Sequence, residues 1–600
     1  MKKIMCFMLC AMMQTAFAES VDQLVDGKFV NFEKYIESLN NFSVVDHTGN
    51  SAGSCKTLQQ YKNTCVNGDN NTRRYISNSV LSQAFEYARS KKAVGVYLPP
   101  GVWNFNGSVI VPHGMTLKGS YDRPHNVTKN DLYVDNTSVN WNNDNGTWDW
   151  KTERVNWNKT HGTNIACYAG WGYDPNGPDN DANNCIVLQG TATLDGVNVY
   201  YPQQEKPLAS KNFNPVKYPW TIACRNGVGW SSSDDGFQYI ARCAIMNTTL
   251  VNSYAGIDLS GAVDHHIRDV NMTAFYKGFF VGGITSQGSI EGVNIHHQFS
   301  AYYYRLELFS MGQVGYGAFE GMSNSDIDRL NQRIRNVHRA YDRMENYIFD
   351  HLIGMELGWI DWGWISNVFI FKAATGFYFT RTSDNFKSQN ESCRNNQNCT
   401  MFRNLASLDI QNSGCDLCKY ALNVQEVNSG IGVNFSNCNL LGGITISDYN
   451  YGTLRMTNSY LGFNAAAPGY TTKSGIRYYP VSHVKVGKHT TLQISNSEIH
   501  DFLEDAEGKW CGNTFDVQER GRLLVDNSTF VWSNTSNFNT NAANGMPAPQ
   551  HLKLARYSIT SLSNSLFRGT SLHKEVNSQA NYHENRINVF DDTPYNPVDR

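Results

Sequence analysis

Short runs in which apolar and polar residues alternate recur along this chain, and several are near copies of one another. Leu194-Asp195-Gly196-Val197-Asn198-Val199 matches Ile290-Glu291-Gly292-Val293-Asn294-Ile295, and Ile267-Arg268-Asp269-Val270-Asn271-Met272 is a third version. The apolar positions Leu250, Met272 and Ile295 follow one another at 22 and 23 residues, the period of a solenoid whose turns each bury one stripe of side chains. A second signature appears further on: Ser366-Asn367-Val368, Gln411-Asn412-Ser413, Ser436-Asn437-Cys438, Thr457-Asn458-Ser459, Ser495-Asn496-Ser497, Asp526-Asn527-Ser528 and Ser563-Asn564-Ser565. Each reads as a short strand meeting a tight turn. Asn suits a repeated turn because it tolerates left-handed backbone angles, and its amide can bond to the next coil. The stacked coils therefore predict an asparagine ladder.

Period-2 strands on a solenoid of this pitch define a parallel β-helix. A leucine-rich repeat would be Leu-dense, and a helical repeat would show a period near 3.6. The open end of such a stack needs a cap. Ser77 to Ser90 supplies a helix for it, with Val80, Leu81, Ala84, Phe85 and Ala88 on one stripe. The stretch 77–600 is therefore read as one β-helix domain, after a leader at 1–18 and a lead-in at 19–76, with insertions at 122–184, 300–359 and 383–400. The second insertion contains a helix whose Ile327, Leu330, Ile334, Val337, Tyr341, Met344 and Ile348 alternate by threes and fours, with Ser325 and Asp328 as its cap. Such a stripe docks on its own protein more readily than it forms an oligomer seam.

Three stretches place the chain in a wider group. Ala84-Phe85-Glu86-Tyr87-Ala88, Val96-Tyr97-Leu98-Pro99-Pro100-Gly101-Val102-Trp103 and Val111-Pro112-His113-Gly114-Met115-Thr116-Leu117-Lys118-Gly119 together resemble the opening of pectate-lyase-like β-helix domains. That superfamily includes polysaccharide lyases, rhamnogalacturonase-like hydrolases and phage tailspike depolymerases. The specific match spans residues 77–120, and Asp69-Asn70-Asn71-Thr72 stands where an Asp-Asp-Thr usually precedes the first helix. The resemblance implies a right-handed parallel β-helix with a polysaccharide as its partner, bound in a groove along one sheet.

Composition narrows the setting. Lys2 and Lys3, the apolar run Ile4 to Met13 and Ala16-Phe17-Ala18 have the three parts of a secretory signal peptide, which places the mature protein outside the cytoplasm, secreted or periplasmic. No later stretch is apolar enough to span a membrane. The net charge is −3 and 17% of residues are charged, which leaves no basic face for nucleic acid. Removing the leader with Cys6 and Cys10 leaves twelve cysteines of 14, an even number suited to disulfides. Cys55 with Cys65 and Cys393 with Cys399 are the expected staples, and Cys415-x-x-Cys418 reads as structural because no second ligand pair makes it a zinc site.

Two sets of candidate chemistry emerge. Aligning the coils brings Tyr254, Tyr276 with Lys277, His296 with His297, Lys372, and Cys415 with Asp416 to comparable places. If that column lines the groove, it offers a base, a cation and an acid for β-elimination of a uronate. Hydrolysis requires two carboxyls flanking the scissile bond. Candidates are Asp234 and Asp235 in Ser233-Asp234-Asp235-Gly236, with Asp258, Asp264, Glu307, Asp361 and Asp416. The Asp-Asp-Gly element resembles the paired aspartates of polygalacturonase-like enzymes, without their flanking Gly and Cys; its other reading is an Asx turn. Asp264-His265-His266 reads as a solvated coil corner rather than a zinc site. Trp171, in the first insertion, offers a sugar-stacking surface, and Arg381 is an isolated candidate for a uronate carboxylate. Calcium is neither required nor excluded, since no tight Asp-x-Asp cluster is present. The pattern favours a glycoside hydrolase, with a lyase and a non-catalytic glycan-binding surface protein as the alternatives.

Overall fold

The computed structural model describes, apart from a few short interruptions, residues 25–45, 51–61, 75–120, 162–175, 183–225, 241–300, 323–380, 406–463, 483–501, 514–532, 551–568 and 574–591, with isolated strands at 134–135, 154–155, 470–471, 477–479 and 508–510. The chain divides into two compact units. One holds residues 1–254, 269–273 and 298–343, and the other holds 255–268, 274–297 and 344–600. Both are built from coils of a right-handed parallel β-helix.

In the N-terminal unit, Gly101–Asn106, Thr163–Ala166 and Val197–Tyr200 stack in parallel, as do Val109–Val111, Ile186–Gln189 and Trp220–Arg225. The helix Asn78–Ser90 (α1) starts from Ser77, whose hydroxyl accepts the Ser79 N–H, and it buries Val80, Leu81, Ala84, Phe85 and Ala88 as the pattern predicts. Disulfides Cys167–Cys185 and Cys224–Cys243 staple this unit. Neither pairing is evident from the sequence, because the stacking that brings each pair together is not local. The expected pairs Cys55 with Cys65 and Cys393 with Cys399 involve residues outside those described.

In the C-terminal unit each regular coil contributes three strands, so three sheets run through the stack. The first sheet passes from Ile353–Leu357 through Thr375–Phe379 and Tyr420–Val424 to Gly443–Ile446 and beyond. The second passes from 360–366 through Ala406–Gln411, Val433–Ser436 and Thr453–Thr457. The third passes from 369–371 through Gly414–Asp416, Asn439–Leu441 and Tyr460–Phe463. Inward residues such as Ile295, Ile370, Leu440 and Leu461 are fully buried and supply the hydrophobic stabilisation of the stack.

The corner between the second and third sheets is the asparagine ladder. Asn367, Asn412, Asn437, Asn458, Asn496, Asn527 and Asn564 all have positive φ, between 47° and 55°. A left-handed residue is tolerated best by Gly and Asn, and here the Asn side chains also link coils: Asn527 Nδ2 donates to Asn496 Oδ1 at 2.6 Å. The next residue of each turn points inward. Ser459, Ser497 and Ser528 each donate to the carbonyl two residues back and accept an N–H from the preceding coil.

The second-insertion helix spans Asn324–His351 (α2). It begins one residue before Ser325, so Ser325 lies inside the helix instead of capping it. Met344 and Ile348 are buried as the stripe predicts. The segment Ile353–Leu357, within the stretch read as insertion, is a strand of the first sheet paired with Lys277 to Val281. Among the described residues, no helix is long and apolar enough to cross a membrane.

Candidate functional site

Several of the candidate residues meet in the C-terminal unit, at the corner between the third sheet and the first. Four strands frame the corner: Thr285–Ile295 (β1), Ile353–Leu357 (β2), Ile360–Phe371 (β3) and Gly414–Asp416 (β4). Ile295 pairs with Ile370, Ile370 with Cys415, and Phe371 with Asp416. Because side chains alternate along a strand, burying Ile295, Ile370 and Cys415 turns His296, Phe371 and Asp416 outward. The result is an aromatic stack along the coils. The His296 and Phe371 rings stack with centroids 4.4 Å apart and planes 9° from parallel, and the Asp416 carboxyl occupies the next rung. Phe369, two residues before Phe371, is 39% exposed.

One residue further along, the chain turns. Lys372 and Leu417 have φ of 57° and 54°, and the Lys372 N–H donates to the Asp416 carbonyl at 2.8 Å. Above this turn lies the end of α2, where Glu345 follows the buried Met344. Its carboxylate bridges two of the candidates: Oε1 is 3.0 Å from His297 Nε2, and Oε2 accepts from the Lys372 ammonium. A second pair, Lys419 with Asp350, ties the same helix end to the next coil, with the Lys419 ammonium 4.9 Å from the Phe349 ring centroid.

Burial sets the protonation at this corner. His296 is lowered to about 3, by burial first and by His297 second. His297 is also lowered to about 3, by burial and then by the Lys372 ammonium. Both imidazoles are therefore neutral, and His297 donates its Nε2–H to Glu345. The Asp416 carboxyl moves the other way: partial burial raises it, against the opposing hydrogen bond from the Leu417 N–H. A carboxyl that holds its proton more tightly than usual is the group from which a general acid is made, whereas a neutral imidazole lowered this far accepts a proton only weakly.

Tyr276 and Lys277 do not join this column. Lys277 pairs with Ile353 on the first sheet, whereas His296 and His297 end the third. The coil holding Tyr276 rounds its corner without an insertion, so these residues lie beyond the bend. Lys277 is 7% exposed and forms a 2.5 Å ion pair with Glu356, which is 3% exposed; its ammonium also lies 5.4 Å from the Tyr276 ring centroid. Tyr254 belongs to the N-terminal unit and is buried. Trp171, in the same unit, is exposed.

Of the carboxylates, Asp258 accepts the Ser260 N–H in a buried turn at 2.8 Å, and Asp361 is exposed on β3. Asp264 sits 3.7 Å from His266. His265 is not solvated at a corner as read: it is a buried strand residue packed on Gly288, where no Cβ would fit. Asp234, Asp235, Glu307 and Arg381 lie outside the described residues. Cys415 and Cys418 are disulfide-bonded, in keeping with a structural role. Among the described residues, no three His, Cys, Asp or Glu side chains gather as metal ligands would.

Sequence reasoning missed Glu345 and Glu356. Glu345 had a signal, since it is four residues after Tyr341 and so falls on the apolar edge of α2, an unusual place for an acid. Glu356 had none, because its segment reads as part of an insertion.

No family model matches the chain, and no curated protein matches it. Similar solved structures include the DFA-IIIase of Arthrobacter chlorophenolicus A6 in complex with GF2, at 9% identity and a TM-score of 0.34, covering 86% of this chain and 89% of that one. The catalytic domain of a GH87 alpha-1,3-glucanase in complex with tetrasaccharides is also 9% identical, with a TM-score of 0.34 and coverage of 86% and 68%. The tailspike protein of E. coli bacteriophage HK620 in complex with a hexasaccharide is 8% identical, with a TM-score of 0.32 and coverage of 94% and 79%.

Proposed function

We propose that this protein is an exported carbohydrate-active enzyme that hydrolyses glycosidic bonds in an extracellular polysaccharide. The observation behind this reading is the outward rung His296–Phe371–Asp416, in which a stacked aromatic pair, flanked by the exposed Phe369, ends in a carboxyl of raised proton affinity. A sugar ring lays its C–H face on the exposed Phe369 ring. Asp416 then protonates the leaving oxygen, and Glu345, held by His297 and Lys372, is the second carboxylate that hydrolysis needs. Lys372 connects the two, through its N–H to the Asp416 carbonyl and through its ammonium to Glu345.

A second reading is β-elimination from a uronate polymer. The observation in its favour is the pair of neutral imidazoles beside the Lys372 ammonium, a base and a cation in one corner. Incubation with a panel of neutral and uronate polysaccharides separates the two. New reducing ends without the ultraviolet absorbance of unsaturated uronates, lost in Asp416→Asn, are expected. Reducing ends with matching absorbance would replace hydrolysis by elimination, and silence across the panel would leave a glycan-binding protein.

A further inference from the structure

The third sheet carries more than the corner described above. One outward rung runs through the C-terminal unit as Phe369, Gly414, Asn439, Tyr460, Glu498 and Thr529, each paired in register with the next. Along part of this rung, against the asparagine ladder, lies an open groove of 580 Å³. Its walls are Tyr460 and Glu498 on one side and Asn437, Asn458, Asn496 and Asn527 on the other.

The lining has a definite chemistry. The ladder amides repeat once per coil, about 4.8 Å apart, and an amide linked to its neighbour by one hydrogen bond still has a second N–H and a second lone pair. The Tyr460 ring lies 5.1 Å from the ring of His500, and His500 also contacts the Glu498 carboxylate. Among the described lining residues, none carries a positive charge and one, Glu498, carries a negative one. A uronate polymer would bring a carboxylate on every sugar against that acid, in a groove with no described cation to receive it. A neutral sugar chain meets none of that repulsion. Its hydroxyls both donate and accept, as amides do, and its apolar faces suit a tyrosine ring.

We infer that this groove is a second glycan-binding site, separate from the His296–Phe371–Asp416 rung, and that it holds an uncharged polysaccharide chain laid along the coils. The inference rests on the carbohydrate reading of the protein and sharpens it, because it assigns a neutral substrate.

The test is affinity electrophoresis of the intact protein in gels containing dextran, a soluble β-glucan, arabinoxylan or galactomannan, with polygalacturonate as the anionic comparator. Retardation by at least one neutral polymer and none by polygalacturonate is expected. Tyr460→Ala and Asn439→Ala should each weaken it about tenfold with melting temperature unchanged, while Tyr451→Ala, an exposed aromatic outside the groove, should behave as wild type. Equal retardation of wild type and both groove variants, retardation by polygalacturonate alone, or no retardation at all would overturn the proposal. Cleavage by the wild type is scored separately: cleavage without retention removes the groove and keeps the enzyme, and retention without cleavage removes the enzyme and keeps the groove.

Discussion

Two corners of the same coil contrast sharply in the C-terminal unit. The corner between the second and third sheets is nearly the same in every turn, with Asn in the left-handed position and, behind it, an inward Ser or Cys in all but the first, where Val368 stands. The corner between the third and first sheets differs from coil to coil. It passes directly through Lys372 and Ala373 in one coil and takes in α2 in another. Buried histidines gather at its edge, with His297 just after the third sheet and His483 and His551 just before the return to the first. A corner fixed by backbone geometry has little room for chemistry. A corner free in length can bring in a carboxylate from outside the coil, as Glu345 shows.

The largest expected effect tests whether the variable corner is catalytic. Asp416→Asn removes a proton donor while keeping shape, and polysaccharide cleavage should fall by about 10²- to 10⁴-fold with the melting temperature unchanged. Undiminished cleavage would reduce this corner to a docking joint for α2.

Acid should loosen the variable corner first. The buried His483 is lowered to about 3, whereas in the unfolded chain it takes up a proton near 6.5. Unfolding therefore binds protons below that value, so this stability is complete above about pH 6.5 and drains away as the pH falls toward 3. At pH 5.5 each histidine of this kind removes roughly 1 kcal/mol. Hydrogen exchange should show amides of 484–486 losing protection between pH 7 and 5.5, ahead of those at Asn496 and Asn527. Uniform loss at both corners would contradict the assignment.

Glu345→Ala comes next. Losing one partner of a buried ion pair costs about 3–5 kcal/mol, but the Lys372 side chain is partly exposed, so roughly 2 kcal/mol is expected, together with loss of polysaccharide cleavage if Glu345 is the second carboxylate. A denaturation midpoint equal to wild type would mean that the apolar contacts of Met344 and Ile348 alone hold the helix.

The same contrast explains what the sequence discloses. Asn496 and its counterparts are visible because a left-handed backbone restricts residue type, and the restriction repeats with the coil. The stripe of α1 is visible for a similar reason, since five buried positions repeat at helical spacing. Tyr276 and Lys277 fall out of line with His296 because the repeat counts residues from a corner whose length is not constant. Glu345 reaches the site through tertiary docking, which no local period encodes, and the disulfides of the N-terminal unit are hidden by the same lack of locality.

A smaller effect separates the corners by backbone alone. Asn496→Ala should cost about 1 kcal/mol, the penalty for an ordinary residue at positive φ. Leu417, at φ 54° in the variable corner, already bears that penalty, so Leu417→Gly should be neutral or stabilising by a few tenths of a kcal/mol. Equal losses in both variants on chemical denaturation would show that Leu417 is held by its side chain.

The smallest effect is expected where the regular corner departs from its own rule. Cys438 takes the place that Ser459, Ser497 and Ser528 hold in later coils: its N–H donates to Ser459 Oγ at 3.2 Å, and its Sγ lies 3.4 Å from the Ser436 carbonyl. It is a buried free thiol, and burial pushes it up to about 11, so it stays protonated and unreactive. Cys438→Ser restores the ladder hydroxyl and its bond to the Ser436 carbonyl, at the expense of a little apolar packing. The two changes nearly cancel, and the denaturation midpoint should move by less than about 0.5 kcal/mol in equivalent stability. A loss several times larger would mean that this coil needs the bulk of sulfur to fill its turn, and that even the asparagine corner is tuned coil by coil.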